Sequence, residues 1–589
     1  MLFCAPIPGR AREPGNCSAF EPSSLPRVYL THMAILKIIG ILLEVVLLFN
    51  LLIVVHELGH FLAAKWRGLV IEGFGIWFGK PIWEKKINGV TYSLGSIPAG
   101  GFVKLPQLME SSIEGDSEYA GKELPKLKPL DKIIVAIAGP VFSFGLACVF
   151  AFLVWQVGRP VTESERTTIV GFVAPGSPAE TAGFKAGDEI VAIDGHKVTR
   201  WGGQSEDSVM WRIAGSEEPT IHLDIKRDGE LKSIESTPKV EPTKWYQRRG
   251  LRQLGLGPMS RPMVFKTVPG SPAEKAGFLP KDILTRVGGE PIYDDSSISM
   301  WVAAHPGQPI VITVERGEKS VDGKLPTVDL TFEPRGFVAG EVFPGSPAQQ
   351  GGLQKGDRIL SVNGNPMQFP EQFVKQIWAN EGKPVELAVE RGTEKKTVTV
   401  TPEVPVEGPT KPSIGIGLDR GDGFEFDPRG RMWPIYPTPG EQISEATGTI
   451  YQTFKKLSPT SNSSISVQHM GGPVMMMRIY YLLFESPQGW RLVLWFSVVI
   501  NVNLALMNML PIPPLDGSHI TLGIVEMLRG RPPGPRTQRI VEYIQTAGTV
   551  LVIGFMLFVT LFDVQDLFGG GKKPSMRFKP RPAAEQSAA

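Results

Sequence analysis

Long stretches of apolar, almost uncharged residues separate the polar parts of the chain, and four of them have the length of a membrane span. They cover residues 34–55, 133–157, 492–510 and 547–562. A helix needs about 20 apolar residues to cross a bilayer, with a usual range of about 17–25. The first two stretches exceed this length, and the last two fall within or just below the range. The pattern predicts an integral membrane protein with four spans.

The residues between the second and third stretches have soluble character and contain an internal repeat. Copies of a Pro-Gly-Ser-Pro-Ala motif start at Pro175, Pro269 and Pro344. In each copy a Ser-Pro-Ala turn opens a short helix, a glycine closes it, and an aspartate leads into an apolar strand. This run resembles the PDZ domain in its bacterial, protease-associated form. It predicts three PDZ-like modules over residues 162–240, 255–334 and 335–404, which either bind peptides or serve as spacers and steric filters.

The remaining segments complete the predicted domain organisation. Residues 1–32 form a leader without the apolar core of a signal peptide, so translation starts at Met33 or the leader is disordered. Residues 33–160 and 489–570 carry the first two and the last two spans. Residues 406–488 are a linker with an amphipathic helix, which lies on the membrane surface or packs on the last PDZ-like module. A disordered tail follows at 571–589.

Charge and cysteine content exclude some classes of function. The chain has 61 Lys and Arg against 59 Asp and Glu, a net charge of +2, so no overall field favours nucleic acid as a partner. Its three cysteines allow neither a disulfide scaffold nor a cysteine-rich zinc site.

The strongest chemical signal is the sequence His56-Glu57-Leu58-Gly59-His60, which directly follows the first apolar stretch. Histidines four residues apart lie on one face of a helix, so both reach a single metal ion. Neutral imidazoles suit zinc, and the intervening glutamate is placed to take a proton from a metal-bound water. Ionisable residues at the end of a span are costly and usually functional. The motif predicts a Zn²⁺ site with Glu57 as the base.

The third zinc ligand has to come from elsewhere in the chain. No third histidine follows the motif at the spacing of soluble zinc proteases, and the downstream glutamates lie in loop or strand patterns. Asp516 is the candidate, because it stands among prolines at the end of the third apolar stretch, where a carboxylate needs a partner. Two histidines and one aspartate would leave the fourth zinc position open, as catalysis requires. The alternative for Asp516 is a turn residue at a helix end.

These motifs together resemble a known family. HELGH on the first span and Asn508-Met-Leu-Pro-Ile-Pro-Pro-Leu-Asp516-Gly on a late span are similar to the two signatures of the site-2 protease family of intramembrane zinc metalloproteases. Residues 97–105 resemble the membrane-reentrant β-loop of its bacterial PDZ-bearing branch, the regulator of sigma-E protease type. The resemblance runs from Met33 to Phe568. Three PDZ-like copies, where one or two are usual, are a departure from the family.

The resemblance implies a fold and a set of roles. The fold is an α-helical four-span protease core with a membrane-reentrant β-loop and inserted α+β PDZ-like domains. His56, His60 and Asp516 would bind zinc, Glu57 would be the base, and Asn508 would contact the substrate backbone. The implied partners are membrane lipid and transmembrane protein substrates, such as anti-sigma factors or signal-peptide remnants.

The sequence of the β-loop suggests how a substrate is held. Val90, Tyr92 and Leu94 alternate with polar residues and predict a strand, and Ala99-Gly100-Gly101 predicts a flexible turn before Phe102. Glycines let another backbone come close, which an edge strand that receives a substrate needs. Gly100, Gly101 and Phe102 are therefore candidate substrate-binding residues. A plain hairpin packed on the spans is the alternative.

Loop charge predicts the orientation. The connection after Asp516 carries Arg529, Arg531, Arg536 and Arg539, which favours the cytoplasmic side of the inner membrane. The zinc site would lie near the cytoplasmic face and the PDZ-like modules outside. Two other classes of function remain open at this point, a scaffold or chaperone with a structural zinc site and a metal transporter. A structural zinc site normally has four protein ligands, and a transporter would need several polar residues across its spans.

Overall fold

The chain is described by a computed structural model. The residues that it describes are 27–108, 124, 127–243, 247–305, 308–317, 325–333, 337–367, 370–406, 411–419, 422–458, 460–486, 488–531, 534–569 and 576–578. The predicted leader lies outside them up to residue 26, and of the predicted disordered tail they include only 576–578.

Helices form the membrane part and recur as short elements elsewhere. Their bounds are α1 Arg27–Arg67, α2 Pro129–Val157, α3 Pro178–Thr181, α4 Val209–Ala214, α5 Pro272–Lys275, α6 Ser296–Ala304, α7 Pro347–Gln350, α8 Pro370–Ala379, α9 Pro439–Leu457, α10 Pro473–Glu485, α11 Gly489–Asn508, α12 Asp516–Arg529 and α13 Pro535–Gly569.

Strands form one small sheet after α1 and the body of the region between α2 and α9. Their bounds are β1 Gly73–Phe78, β2 Trp83–Ile87, β3 Val90–Leu94, β4 Ile97–Lys104, β5 Arg159–Thr162, β6 Val170–Val173, β7 Glu189–Ile193, β8 His196–Lys197, β9 Ile221–Arg227, β10 Glu230–Ser236, β11 Lys239–Val240, β12 Arg252–Gln253, β13 Leu256–Pro258, β14 Val264–Thr267, β15 Ile283–Val287, β16 Glu290–Pro291, β17 Ile310–Glu315, β18 Thr327–Phe332, β19 Phe337–Val342, β20 Arg358–Val362, β21 Asn365–Pro366, β22 Val385–Arg391, β23 Glu394–Val400, β24 Ile416–Asp419, β25 Phe424–Phe426 and β26 Met432–Ile435.

Four of the described helices are long and apolar enough to cross a membrane, over Ile35–Arg67, Pro129–Val157, Gly489–Asn508 and Arg536–Leu567. They match the four predicted stretches, and the fourth is longer than its apolar part alone. Helix α2 lies at the centre, against α1, α11 and α12. Small residues make this close packing possible, since a Cβ on Gly59 of α1 would lie 2.4 Å from the Ala138 carbonyl oxygen of α2.

Helix α12 was not separated from its neighbours by the sequence pattern. The third span ends at Asn508, and Asp516 opens a different helix, α12. The prolines between them prevent one continuous helix. The Arg-rich connection after Asp516 is therefore mostly α12 and the start of α13.

The amphipathic helix α9 packs its apolar face on α2 and α11, with Ala446 in a core shared with Leu52 and Val498. Packing on the last repeat unit is thus not what the structure shows.

The small sheet that follows α1 has the strand order β2-β3-β1-β4, so β4 is an edge strand. The strand predicted around Tyr92 is present as β3. The turn predicted at residues 99–101 is not, because these residues continue within β4. The pairing with β1 is irregular between Gly101 and Ile97, and Gly100 has a φ of +79°. A bulge with one left-handed glycine therefore takes the place of a turn.

The repeats form three units, each with its own buried core. In every unit one strand comes from beyond the predicted module boundaries: β6 pairs with β13, β14 with β25, and β19 with β24. The third unit thereby lies in sequence between the two parts of the second. Two of these strands, β24 and β25, fall in the segment predicted as a linker. They are so short that their alternation of apolar and polar residues did not reveal them. The paired strands β5 and β26 form a neck through which the chain enters and leaves the three units.

Candidate metal centre

Helix α1 brings the two histidines of HELGH to one point. His56 and His60 lie one turn apart on the side of α1 that faces α2, and only 7% of His56 is exposed. Their Nε2 atoms are 3.3 Å apart. The i, i+4 spacing alone produces this, since residues four apart stack along one face of a helix.

Asp516 reaches the same point from the first turn of α12. Its Oδ2 atom lies 3.2 Å from His56 Nε2, and its Oδ1 atom lies 3.4 Å from His60 Nε2. The turn before α12 is tight, because a Cβ on Gly517 would lie 2.2 Å from the Leu510 carbonyl oxygen. Helix α12 is also held against α2, where Gly523 leaves room for Ile133. The fold thus places a carboxylate 456 positions after His60 beside both imidazoles.

The two imidazole nitrogens and the carboxylate have spacings close to those of a tetrahedral zinc site. Ligand distances of about 2.0–2.1 Å at tetrahedral angles put neighbouring donors about 3.3 Å apart. The two Nε2 atoms are 3.3 Å apart, and each lies near a different oxygen of Asp516, His56 at 3.2 Å from Oδ2 and His60 at 3.4 Å from Oδ1. The Oδ2 atom of Asp516 is buried and accepts no hydrogen bond. A buried carboxylate oxygen without a hydrogen bond beside two imidazoles fits a shared cation.

The outer nitrogens of the imidazoles are held by α2. His60 Nδ1 lies 2.8 Å from the Val135 carbonyl oxygen, which only accepts, so this nitrogen carries the proton. His56 Nδ1 lies 2.9 Å from the Ser143 hydroxyl, which is fully buried. Protonation at Nδ1 directs the Nε2 lone pair of His60 at the common point, and a His56 that donates to the Ser143 hydroxyl does the same. The sequence analysis did not identify Ser143, whose only signal was a hydroxyl in an apolar span.

A glycine of α2 leaves the space around these lone pairs free. A Cβ on Gly139 would lie 2.2 Å from His60 Nε2 and 2.8 Å from His56 Nε2. Contacts this short do not occur in folded proteins, so any larger residue would push the imidazoles from their positions. Gly139 is therefore part of the site, although it has no side chain that could bind a metal.

Glu57 lies beside the three donors but is not one of them. A Cβ on Gly101 would lie 3.2 Å from the Glu57 side chain, which places the edge strand β4 directly against this residue. A half-buried amide, Asn508 Nδ2 at the end of α11, lies 3.3 Å from His56 Nε2. The predicted residues Glu57, Asn508 and Gly101 are thus all brought to the centre.

Gly100 and Phe102 contact β1 and not the donors. The Phe102 ring fills the space above Gly75, where a Cβ would lie 2.2 Å from it, and stacks on Phe78 with 6.2 Å between ring centroids. Phe78 in turn occupies the space above Gly100, 1.9 Å from where a Cβ would be. These residues shape the sheet that carries the edge strand.

Comparisons with known proteins agree with this geometry. A family model described as Peptidase family M50 matches residues 44–552. Protease RseP of Yersinia pestis is 26% identical over 536 residues, which cover 87% of this chain and 96% of that protein. The regulator of sigma-E protease RseP of Escherichia coli is 26% identical over 534 residues, with the same coverage of both chains. A Neisseria meningitidis protein named as a zinc metalloprotease is 26% identical over 495 residues, 83% of this chain and 92% of its own.

A solved PDZ domain of Listeria monocytogenes aligns with 15% of this chain and 90% of its own length, at 23% identity and a TM-score of 0.14. The family match is far more extensive, since it covers the span that carries the two histidines and the helix that begins at the aspartate. It confirms the resemblance to the site-2 protease type and the prediction of a zinc metalloprotease. The chain belongs to peptidase family M50.

Proposed function

We propose that this protein hydrolyses peptide bonds in the transmembrane segments of other membrane proteins, with zinc held by His56, His60 and Asp516. The observation that carries the proposal is the donor geometry: the Nε2 atoms of His56 and His60 are 3.3 Å apart, and each lies 3.2–3.4 Å from one oxygen of Asp516. No described residue donates a hydrogen bond to the Oδ2 atom of this aspartate. A site with three protein donors has an open fourth position, which distinguishes catalytic from structural zinc sites.

The roles of the side chains follow from their positions. Zinc held by these residues would polarise the scissile carbonyl group. It would also lower the pKa of a water molecule, so that the water loses a proton readily and becomes a nucleophile. Glu57 takes a proton from that water as its oxygen bonds to the carbonyl carbon. Glu57 then delivers the proton to the amide nitrogen as the carbon–nitrogen bond breaks. The Asn508 amide, next to His56, is placed to hold the substrate backbone.

The edge strand β4 is the proposed place of substrate binding. A transmembrane helix hides its carbonyl groups in internal hydrogen bonds and has to unwind before it is cut. Among the described strands only β1 pairs with β4, so the other edge of β4 is available for an extended segment. Gly101 lies on this strand beside Glu57, and its lack of a side chain lets a second backbone approach the base.

We also propose that the three repeat units control access to the site, as in regulated intramembrane proteolysis. Support comes from a polar junction between the first unit and the fourth span. Arg248, which precedes β12, donates to Asp563 and to Asp566 of α13, both at 2.7 Å. Asp563 also accepts the backbone N–H groups of Gly472 and Met475 at the start of α10, at 3.0 Å. Movement of the first unit would therefore act directly on the spans.

The proposed setting is the inner membrane, with the repeat units outside and the zinc site near the cytoplasmic face. Support for this orientation comes from the arginines of α12 and the start of α13, which favour the cytoplasmic side. By their printed names, two relatives regulate sigma-E. Anti-sigma factors or signal-peptide remnants with a single span are accordingly the substrates to test first.

Co-expression of a tagged single-span protein with the wild type and with a Glu57→Gln variant tests the activity. We expect the uncleaved substrate to accumulate only with Glu57→Gln, while the purified variant keeps its zinc. Glu44→Gln is the matched control, because Glu44 lies exposed on the same helix about 20 Å from Glu57. Full cleavage by Glu57→Gln would refute the role of Glu57.

Removal of the repeat units tests access control. The neck offers a natural place for the cut, since Thr162 and Met432 are partners in the β5–β26 ladder. Residues 163–431 can thus be replaced by a two-glycine turn that keeps the neck paired. We expect this variant to cleave both a full-length substrate and one whose outer domain has been trimmed. The wild type, with its repeat units in place, should cut only the trimmed substrate. If the variant also cuts only the trimmed substrate, the repeat units do not control access.

A further inference from the structure

A short piece of the chain that follows the fourth span lies on the third repeat unit. The backbone N–H of Val406 donates to the Arg577 carbonyl oxygen at 2.7 Å. The Ser413 hydroxyl lies 3.5 Å from the Met576 sulfur. Phe578 is only 7% exposed, as buried as a core residue of the unit. Three consecutive residues, 576–578, thus contact the unit through backbone, sulfur and an aromatic ring.

The ring of Phe578 lies against Gly415, which directly precedes β24, the last strand of the unit. Gly415 has a φ of +75°, and a Cβ there would lie 2.7 Å from Phe578 Cε2 and 3.0 Å from Cζ. The absence of a side chain at Gly415 therefore makes room for the ring. An L-residue would be strained at this φ as well as obstructed by Phe578.

The other two units provide an internal comparison. Gly255 and Gly423 hold the corresponding places before β13 and β25, with φ values of +80° and +82°. The atoms nearest to a Cβ on these glycines belong to Ser177, Ala174 and Ser271. Gly415 has the matching serine, Ser346, as its neighbour and Phe578 in addition. The aromatic contact is a property of the third unit and not of the repeated fold.

The order of the spans permits this contact within one chain. The repeat units follow the second span, and residues 576–578 follow the fourth. Two spans lie between these points, so both emerge on the same side of the membrane, whichever side that is. A segment tethered in this way has a high effective concentration, so a small contact area is enough to keep it bound.

We propose that the third unit carries a docking site for an extended segment with a buried aromatic residue, and that the chain's own residues 576–578 occupy it. Docking ties the third unit to the outer end of the fourth span. The first unit is already joined to that span through Arg248 and Asp563. A segment of similar chemistry on another protein, with an aromatic residue next to a basic one, would have to displace residues 576–578.

Peptide binding tests the docking site without reference to proteolysis. The probe is a fluorescent peptide with the sequence of residues 572–582, added to the detergent-solubilised full chain and to a variant that ends at residue 575. We expect saturable binding to the shortened variant and at least about tenfold weaker binding to the full chain, whose site is occupied. Phe578→Ala in the full chain should open the site as the truncation does. The same peptide with Phe578→Ala should bind neither protein.

Equal binding to the full and shortened chains, or equal binding of the Phe578→Ala peptide, would overturn the proposal. A cysteine pair gives a second test in the intact chain. Ser413→Cys with Met576→Cys should form a disulfide, since the two side chains are in contact. Gln253→Cys with Met576→Cys is the control, because Gln253 stands two residues before Gly255 in the first unit, as Ser413 stands before Gly415. A crosslink of equal yield in both pairs would contradict a specific site.

Discussion

Aspartates of the repeat units and the aspartate of the metal centre have opposite surroundings. Each repeat unit has one, only 1% exposed, whose two oxygens are paired by an arginine at 2.6–2.7 Å and by a backbone N–H at 2.8 Å. The pairs are Asp188–Arg227, Asp282–Arg316 and Asp357–Arg391. Asp516 in the membrane part is half-buried, and among the described residues no arginine pairs with it and no group donates a hydrogen bond to its Oδ2 atom.

The difference distinguishes a carboxylate that stabilises the fold from one that is placed to bind a metal ion. In the repeat units an arginine neutralises each of these aspartates within the fold, and the same arrangement is used three times. At Asp516 the neighbours are imidazole nitrogens whose lone pairs point at the carboxylate. Such groups repel one another unless a positive charge lies between them, so the arrangement fits a bound metal ion. A full set of protein partners therefore indicates structure, and its absence indicates function.

The largest effect is expected at Asp516. Asp516→Asn should weaken zinc binding at least about 100-fold, because a neutral amide is a poorer zinc ligand than a carboxylate. Zinc retention during titration with a chelator measures the change. Asp224→Asn, at an exposed position of β9, is the control that should keep wild-type affinity. Unchanged zinc affinity in Asp516→Asn would make Asp516 a turn residue and remove the contrast.

The matching change in the third unit should act on stability alone. Asp357→Asn leaves Arg391 without its counter-charge and should destabilise the unit. The cost is below that of a fully enclosed pair because 28% of the Arg391 side chain is exposed. Hydrogen exchange of β19–β24 in the intact protein measures it. Loss of zinc in this variant, or protection equal to that of the wild type, would contradict the structural role.

A smaller effect is expected at Ser143. Ser143→Ala removes the hydroxyl that holds His56 Nδ1 and should weaken zinc binding by about 10- to 100-fold. Chelator titration again provides the measurement, with Ser497→Ala as a control, a buried serine of α11 that contacts Tyr480 and not the histidines. If the two variants bind zinc equally well, Ser143 does not orient His56.

Which of these features could be predicted follows from the local signal that each one leaves in the sequence. HELGH was identifiable because both histidines lie within one helical turn. Asp516 was identifiable because a charge among prolines at the end of a span needs a partner. Ser143 was not, since its contact to His56 spans 87 positions. The arginine partners of the repeat aspartates, 34–39 positions away, were missed for the same reason.

The strands that close the repeat units from beyond the predicted module boundaries were even harder to predict from local sequence. The second unit closes with β25 only after the whole third unit, a separation that short alternating patterns cannot reveal. The bulge in β4 was predicted as a turn because two glycines in a row favour turns. Pairing with β1 on both sides of the bulge outweighs that preference.

The smallest effect concerns the pH dependence of the third unit. Burial alone would raise the pKa of Asp357, but hydrogen bonds from Arg391 and from the Gln354 backbone outweigh it and lower the pKa below its ordinary value of 3.8. A lowered folded-state pKa gives stability that is complete above the ordinary value and is lost as the pH falls through the folded-state pKa. Exchange protection of the unit should fall in that range, and the fall should be absent in Asp357→Asn. An identical fall in the variant would assign it to other groups.

X-ray absorption at the zinc edge of the purified protein tests the central contrast most directly. We predict one zinc per chain, with two imidazole nitrogens and one carboxylate oxygen at about 2.0–2.1 Å and a fourth position filled from solvent. Protein without stoichiometric zinc, or with zinc bound by four protein side chains, would contradict an open catalytic centre at His56, His60 and Asp516.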